Sequence, residues 1–189
     1  MNKLIFLLSI GLNVGCSSSQ IIHTSRPNEW AERVELNGLN NFFKVDEMLY
    51  RAEQPRTKEM VALQQFGIKT ILNLRLLKDD KFEARKTSLE LRHVSVNTLK
   101  MSYEEILKAI KIIDKSEKPI LIHCLHGSDR TGVVVAIYRM VKQDWTKEAA
   151  IDEFKHGGFG YHEKWFPNLL QLLETLDVEK LKSDLLVEN

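Results

Sequence analysis

At 189 residues, 43% of them hydrophobic, the chain is long enough for one domain whose core needs no disulfide staples. Its 27 lysines and arginines nearly balance 26 aspartates and glutamates, leaving a formal charge of +1. That balance removes any bulk electrostatic case for nucleic acid or an anionic membrane surface as a partner.

The first residues read as an address rather than as fold. Lys3 precedes an apolar run over residues 4–12, of signal-peptide length and too short to span a bilayer comfortably. Gly15 and Cys16, followed by Ser17, Ser18 and Ser19, resemble a bacterial lipoprotein signal, in which Cys16 becomes the lipidated first residue of the mature protein. Asn13 departs from the aliphatic residue usual in such signals, and cleavage without lipid is the alternative. The expectation is a signal peptide over 1–15, a tether over 16–28 and a folded domain over 29–189. The protein is then exported and periplasmic, touching membrane only through the lipid, and a monomer is expected.

Along the domain, residues 42–46 and 48–51 read as a short hairpin that Pro55 stops. Thr57 is a candidate cap for a helix that runs to Phe66 and ends at Gly67. Residues 68–74 form a strand, 80–91 a helix and 93–96 another strand. Ser102 with Glu105 makes a capping box for a helix over 103–114. Pro119 leads into a strand ending at Cys124, followed by a helix to about Lys142 and a second, over 147–155, capped by Thr146. One long amphipathic helix starts at Pro167 and runs to Asp177 or further. Strands alternating with helices imply an α/β fold in three layers, a central, mostly parallel sheet flanked by helices.

The run from Ile120 to Gly132, ILIHCLHGSDRTG, is the most informative part of the chain. A buried strand, a tight loop and a helix start bring Cys124 and Arg130 to the same place. Backbone N–H groups from Leu125, His126, Gly127, Ser128, Asp129 and Arg130 turn around one anion, with the helix N-terminus beneath it. Such a field favours the thiolate at Cys124, and Arg130 can offer a bidentate fork to a phosphoryl group. The bland alternative is a strand–turn–helix with an inert buried cysteine.

These residues match without a gap the protein tyrosine phosphatase signature, His-Cys, five variable residues, then Arg-Ser/Thr. The chain resembles small exported bacterial phosphatases of the dual-specificity type. LYRAEQP at 49–55, GIKTILNLR at 67–75 and GGFGYH at 157–162 carry the resemblance further, over about residues 26–175. It implies the cysteine-dependent phosphatase fold and hydrolysis of phosphotyrosine in phosphoproteins, with phosphoserine or phosphothreonine as further substrates, through a phosphocysteine intermediate. Relatives that handle highly phosphorylated inositols tend to carry lysines in the loop, and this loop has none. Inositol phosphates and a phosphate-binding pseudophosphatase remain the alternatives.

The remaining chemistry is harder to place. His123 should point away from the phosphate and orient the loop. The Thr131 hydroxyl either bonds the Cys124 sulfur and helps break down the intermediate, or bonds only to backbone. The family's proton donor is an aspartate on the loop that here covers residues 96–102, which holds no carboxylate. Asp80 is the best substitute, ahead of Asp79, Glu104 and Glu105; Asp129 would be costly beside a phosphate unless turned outward or protonated. Arg75 braces the loop or binds substrate. Lys155, His156, Tyr161, His162 and Trp165 either frame the mouth or pack the terminal helix. Cys124 with His126, and His156 with His162, lack the partners a zinc site needs, so neither metal nor cofactor is expected. With Cys16 lipidated, Cys124 is the sole thiol of the mature chain and has no resolving cysteine. Peroxide should therefore carry it to sulfinic and sulfonic acids rather than to a disulfide, read as loss of Cys124 alkylation and added oxygen in the intact mass.

Overall fold

The computed structural model describes residues 26–36 and 38–187. The signal peptide, Cys16 and the tether as far as residue 25 lie outside the described residues. Arg26 already belongs to the folded unit: its Nη2 donates to the Ala31 carbonyl at 2.6 Å, and its guanidinium lies over the rings of Trp30, Phe43 and Phe159. The domain thus takes in residues expected to be tether.

Six strands form one mixed sheet: β1 (Glu32–Arg33), β2 (Phe43–Lys44), β3 (Leu49–Ala52), β4 (Thr70–Asn73), β5 (Glu90–His93) and β6 (Ile120–His123). The spatial order is β1-β2-β3-β6-β4-β5. β3, β6, β4 and β5 run parallel, while β1 and β2 add an antiparallel edge. Strand alternation divides the sheet into two faces. Tyr50, Ala52, Ile71 and Leu121 join a core with Met60 and Leu63 of α1 (Thr57–Phe66). Leu49, Leu72, Ile120 and Ile122 face the larger core. That core is roofed by α2 (Tyr103–Lys115), α3 (Asp129–Lys142), α4 (Lys147–His156), α5 (Pro167–Thr175) and α6 (Val178–Leu186). The expected three layers are present.

α3 is the hub of the larger layer. It touches α2, α4, α5 and α6, and its residues from Thr131 to Met140 are all buried. An apolar run buried all round makes a central helix rather than a surface one. α2 shows the opposite pattern: Ile106, Ala109, Ile110 and Ile113 form one buried stripe. Its capping box is as expected, with Ser102 N donating to Glu105 Oε2 at 2.8 Å and Glu105 N to Ser102 Oγ at 3.2 Å.

Three local expectations change. Thr57 is the first helical residue rather than the cap; Arg56 holds the cap position and its N–H donates to Glu59 Oε2 at 2.9 Å. Residues 80–91 form no helix. A single turn closes where Ala84 N donates to the Asp80 carbonyl, and Thr87 ends it with two bonds to the Ala84 carbonyl. The chain then extends to pair β5 with β4, Glu90 opposite Thr70, so the strand placed at 93–96 begins earlier. The terminal helix is two helices, because Leu176 is extended and the Asp177 carboxylate caps a fresh start by accepting from Lys180 N at 2.9 Å.

A buried ion pair ties this layer to the chain's beginning. Arg139 Nη2 and Glu153 Oε1 lie 2.8 Å apart with side chains 3% and 2% exposed. Glu153 Oε1 also accepts from Ala31 N, and Arg139 Nη1 donates to the Val45 carbonyl. Removing one partner strands the other charge in the core. Glu153→Gln should therefore cost about 3–5 kcal/mol of stability, measured from urea unfolding midpoints.

Candidate active site

β6 ends at the carboxyl edge of the sheet between β3 and β4, and the loop from Cys124 to Ser128 leads straight into α3. Open α/β sheets present ligands at this edge. The loop's carbonyls are taken one by one from outside. His123 O accepts from Leu74 N at 2.8 Å and Leu125 O from Gln54 N at 3.1 Å. Cys124 O pairs with His123 Nδ1 at 3.0 Å, His126 O accepts from Asn41 Nδ2 at 2.8 Å, and Gly127 O from Arg51 Nη2 at 2.6 Å. In a trans peptide the N–H points opposite to its C=O. Turning these carbonyls outward therefore turns the loop's N–H groups inward, over Cys124.

Gly127 makes the turn possible. Its φ is +73°, and a Cβ there would lie 2.4 Å from the Ala52 carbonyl oxygen at the end of β3. Ser128 adds a further anchor, its hydroxyl donating to the Phe159 carbonyl at 2.7 Å.

Cys124 is 1% exposed and faces the larger core, whereas His123 shares its face with Leu121. The expectation that His123 points away from the phosphate therefore holds in the geometry. The Arg130 guanidinium reaches the ends of β4 and β5, where Nη1 makes long contacts to Leu74 O at 3.4 Å and Val96 O at 3.5 Å. Arg130 Nε and Thr131 Oγ1 are buried and have no hydrogen-bond partner among the described residues. Buried polar groups are normally satisfied, so two such atoms in the first turn of α3, directly after the loop, suit a site for an anion.

Asp80 needs correction as a proton donor. It is 4% exposed and both oxygens are engaged, Oδ2 with His123 Nε2 at 2.8 Å and Oδ1 with Gln54 Nε2 at 2.7 Å. Burial pushes its carboxyl up, but the His123 hydrogen bond and charge, helped by Gln54 and Asn73, outweigh burial and hold it below the ordinary value. A donor must carry a proton and reach the leaving group; Asp80 is held ionised behind the loop. It braces the loop through His123. Arg75 extends the brace, Nη1 donating to Gln54 Oε1 at 3.2 Å.

Asp129 turns outward, as its charge requires. Oδ1 accepts from His162 N at 3.0 Å, and Oδ2 lies 2.9 Å from His162 Nδ1. With His126 these residues form a cluster whose possible ligand atoms all lie within 4.8 Å of one another. Neither sequence pair, Cys124 with His126 or His156 with His162, is the one that meets here; the fold brings His126 and His162 together across Asp129. Of the aromatic and charged group after α4, His162 and Trp165 stand at the mouth, stacked at 5.7 Å. Tyr161 packs on Phe154, while Lys155 and His156 pair with Glu163 and Asp152.

The sequence profile of the tyrosine phosphatase family matches residues 38–184, more than half of the chain. The chain belongs to the tyrosine phosphatase family. It is 30% identical over 138 residues to the dual specificity protein phosphatase TpbA of Pseudomonas aeruginosa, covering 72% of this chain. The chain spans 62% of the length of that relative. Inositol diphosphatase DSP3 of Arabidopsis thaliana is 28% identical over 159 residues, covering 78% of this chain and 75% of its own. Among solved structures, a cysteine-to-serine variant of P. aeruginosa TpbA in complex with phosphotyrosine superposes with a TM-score of 0.77 at 28% identity, covering 85% of this chain and 98% of that one.

Within this family member, two site residues escape a reading of the sequence. Arg51 is 1% exposed and stacks 3.7 Å above the Phe159 ring while holding Gly127. Burial pulls its guanidinium down to about 10, against the opposing charges of Glu153 and Cys124. Its signal is an arginine on a strand whose neighbours Leu49, Tyr50 and Ala52 are all buried. Asn41, with φ +55°, clamps His126 O and Phe159 O together and carries no such signal.

The Asp80 brace has a pH signature. Because its folded value is depressed, its contribution is complete above the ordinary carboxylate value of about 4 and disappears as pH falls through the lower folded value. Asp80→Asn should lose stability at pH 7 and narrow its gap to wild type at pH 3, read from urea midpoints at both values.

Proposed function

We propose that this domain hydrolyses phosphate monoesters, with phosphotyrosine in proteins as the favoured substrate, by way of a phosphocysteine. The observation that carries the reading is the loop itself: N–H groups turned inward over Cys124, with Arg130 Nε and Thr131 Oγ1 buried and unpartnered at the same place.

The Cys124 thiolate attacks phosphorus, the P–S bond forms and the P–O ester bond breaks with its electron pair leaving on oxygen. Backbone N–H groups of Leu125, His126, Gly127, Ser128, Asp129 and Arg130, with the Arg130 fork, hold the equatorial oxygens as charge develops. Water then attacks phosphorus, the P–S bond breaks, and thiolate and inorganic phosphate result. The Thr131 hydroxyl stabilises the sulfur as it leaves. Relatives that act on inositol diphosphates keep an alternative substrate class in view. Asp129 in the loop and the absence of lysine there argue for a phosphoprotein, as does the likeness to a phosphotyrosine-bound relative. By its lipoprotein-like start, the domain works outside the cytoplasm, tethered through Cys16.

The test uses residues 21–189 under reducing conditions. p-Nitrophenyl phosphate and a phosphotyrosine peptide should turn over, and Cys124→Ser should abolish both. Arg130→Lys should lower kcat by about 10²–10³, the scale of a lost oxyanion donor. With Asp80 removed as donor, a phosphoserine peptide should run about 10²–10⁴-fold slower than the aryl substrates, the scale of absent general-acid help. A folded, reduced wild type that turns over no monoester overturns the reading.

A further inference from the structure

Three side chains at the mouth of the loop meet from separate origins. His126 belongs to the loop, Asp129 opens α3, and His162 follows the turn that contains Gly158 and Gly160, whose φ values are +81° and +78°. Two imidazoles and one carboxylate form the mixed nitrogen and oxygen set that zinc-class ions take, with bonds of about 2.0–2.2 Å. Around a tetrahedral ion such donors stand roughly 3.3 Å apart. Asp129 Oδ2 and His162 Nδ1 are already 2.9 Å apart, and the three ligand atoms span at most 4.8 Å. The remaining closure falls to His126, which is exposed.

The rigid half of the site is built. Asp129 is 5% exposed and fixed by the His162 backbone N–H at 3.0 Å. Trp165 stacks on the His162 ring with planes 23° apart, setting its orientation. The His126 ring lies 5.5 Å from that of His162, on the open side. A buried carboxylate beside a phosphate loop also wants more than a hydrogen bond to an imidazole; a dication supplies the charge.

We propose that His126, Asp129 and His162 form a binding site for a divalent ion of the zinc class at the mouth of the phosphate loop. The ion takes one oxygen from Asp129, one nitrogen from His162 and one from His126, and leaves one position for water. Because His126 is a loop residue and Asp129 follows the loop directly, the bound ion ties the loop to the segment after α4 and stands across the entrance. Zinc therefore inhibits turnover reversibly, an effect that rests on the phosphatase reading; the binding itself does not.

Binding is measured on Cys124→Ser, which removes the thiolate as a competing ligand and needs no turnover. Cobalt(II) titrated into this variant should give visible d–d bands saturating at one equivalent, displaced by zinc. Adding His162→Gln, or separately the exposed substitution His126→Gln, should weaken binding at least tenfold, with thermal melts confirming folded protein. In a Cys124-intact enzyme, zinc should inhibit p-nitrophenyl phosphate hydrolysis, chelator should restore it, and His162→Gln should raise the inhibiting concentration. A silent cobalt titration, or an affinity unchanged in both histidine variants, overturns the site. Binding without inhibition overturns its role at the entrance.

Discussion

Everything at the candidate site depends on which way five carbonyl groups point. His123, Cys124, Leu125, His126 and Gly127 each present an oxygen to a donor outside the loop, and the anion cradle is the reverse side of those same peptide planes. A loop left to itself would solvate both sides of each peptide. Here the donors come from β3, from residues just past the ends of β3 and β4, from the turn before β2 and from a histidine in β6 itself. The sheet therefore does more than display the loop at its edge. By placing Leu74 on one side and Arg51 and Gln54 on the other, parallel pairing of β4 and β3 with β6 fixes the loop's polarity.

Buried charge is distributed in keeping with that task. On the α1 face, Asp80 grips His123 directly behind the nucleophile and passes through Gln54 to Arg75. On the opposite face Arg51 lies under Gly127, with Phe159 against its π-side and the charge of Glu153 opposing the effect of burial on it. Glu153 in turn is clamped by Arg139 and capped by the Ala31 N–H. Buried ionic groups are poor contributors to stability compared with apolar replacements. Retention of Arg51 and Asp80 is intelligible because each is tied, directly or through one partner, to the loop. The cation under Gly127 and the carboxylate behind His123 hold the peptide bonds that a polar ligand requires.

What the sequence disclosed and what it hid follow a physical division. Cys124, Arg130 and the helix start at Asp129 are contiguous, so strand, loop and helix signals suffice to place them. The Ser102–Glu105 box and the apolar stripe of α2 are equally local. Arg51 and Asn41 act on carbonyls 76 and 85 residues away, and no local pattern registers a partner at that distance. The segment after Asp80 looks helical by composition, yet its capping carboxylate is committed to His123 and the chain is drawn into pairing with β4. Position on a loop near the sheet edge suggests Asp80 as donor, but its side chain lies behind the loop against His123. Asp177 hides in the same way, a capping residue inside a pattern that otherwise reads as one helix.

α3 gives the molecule one more property. Its first turn is the floor of the loop, and its remaining length is the buried centre of the helical layer. At Gly132, a methyl group would meet the Phe154 ring at 2.6 Å, so α3 and α4 sit in direct contact at the very point where the loop ends. Segments that open independently are those with few buried contacts; this one has the most to lose. The loop therefore has no private unfolding route. Any reagent that finds Cys124 in the native protein must enter through the mouth.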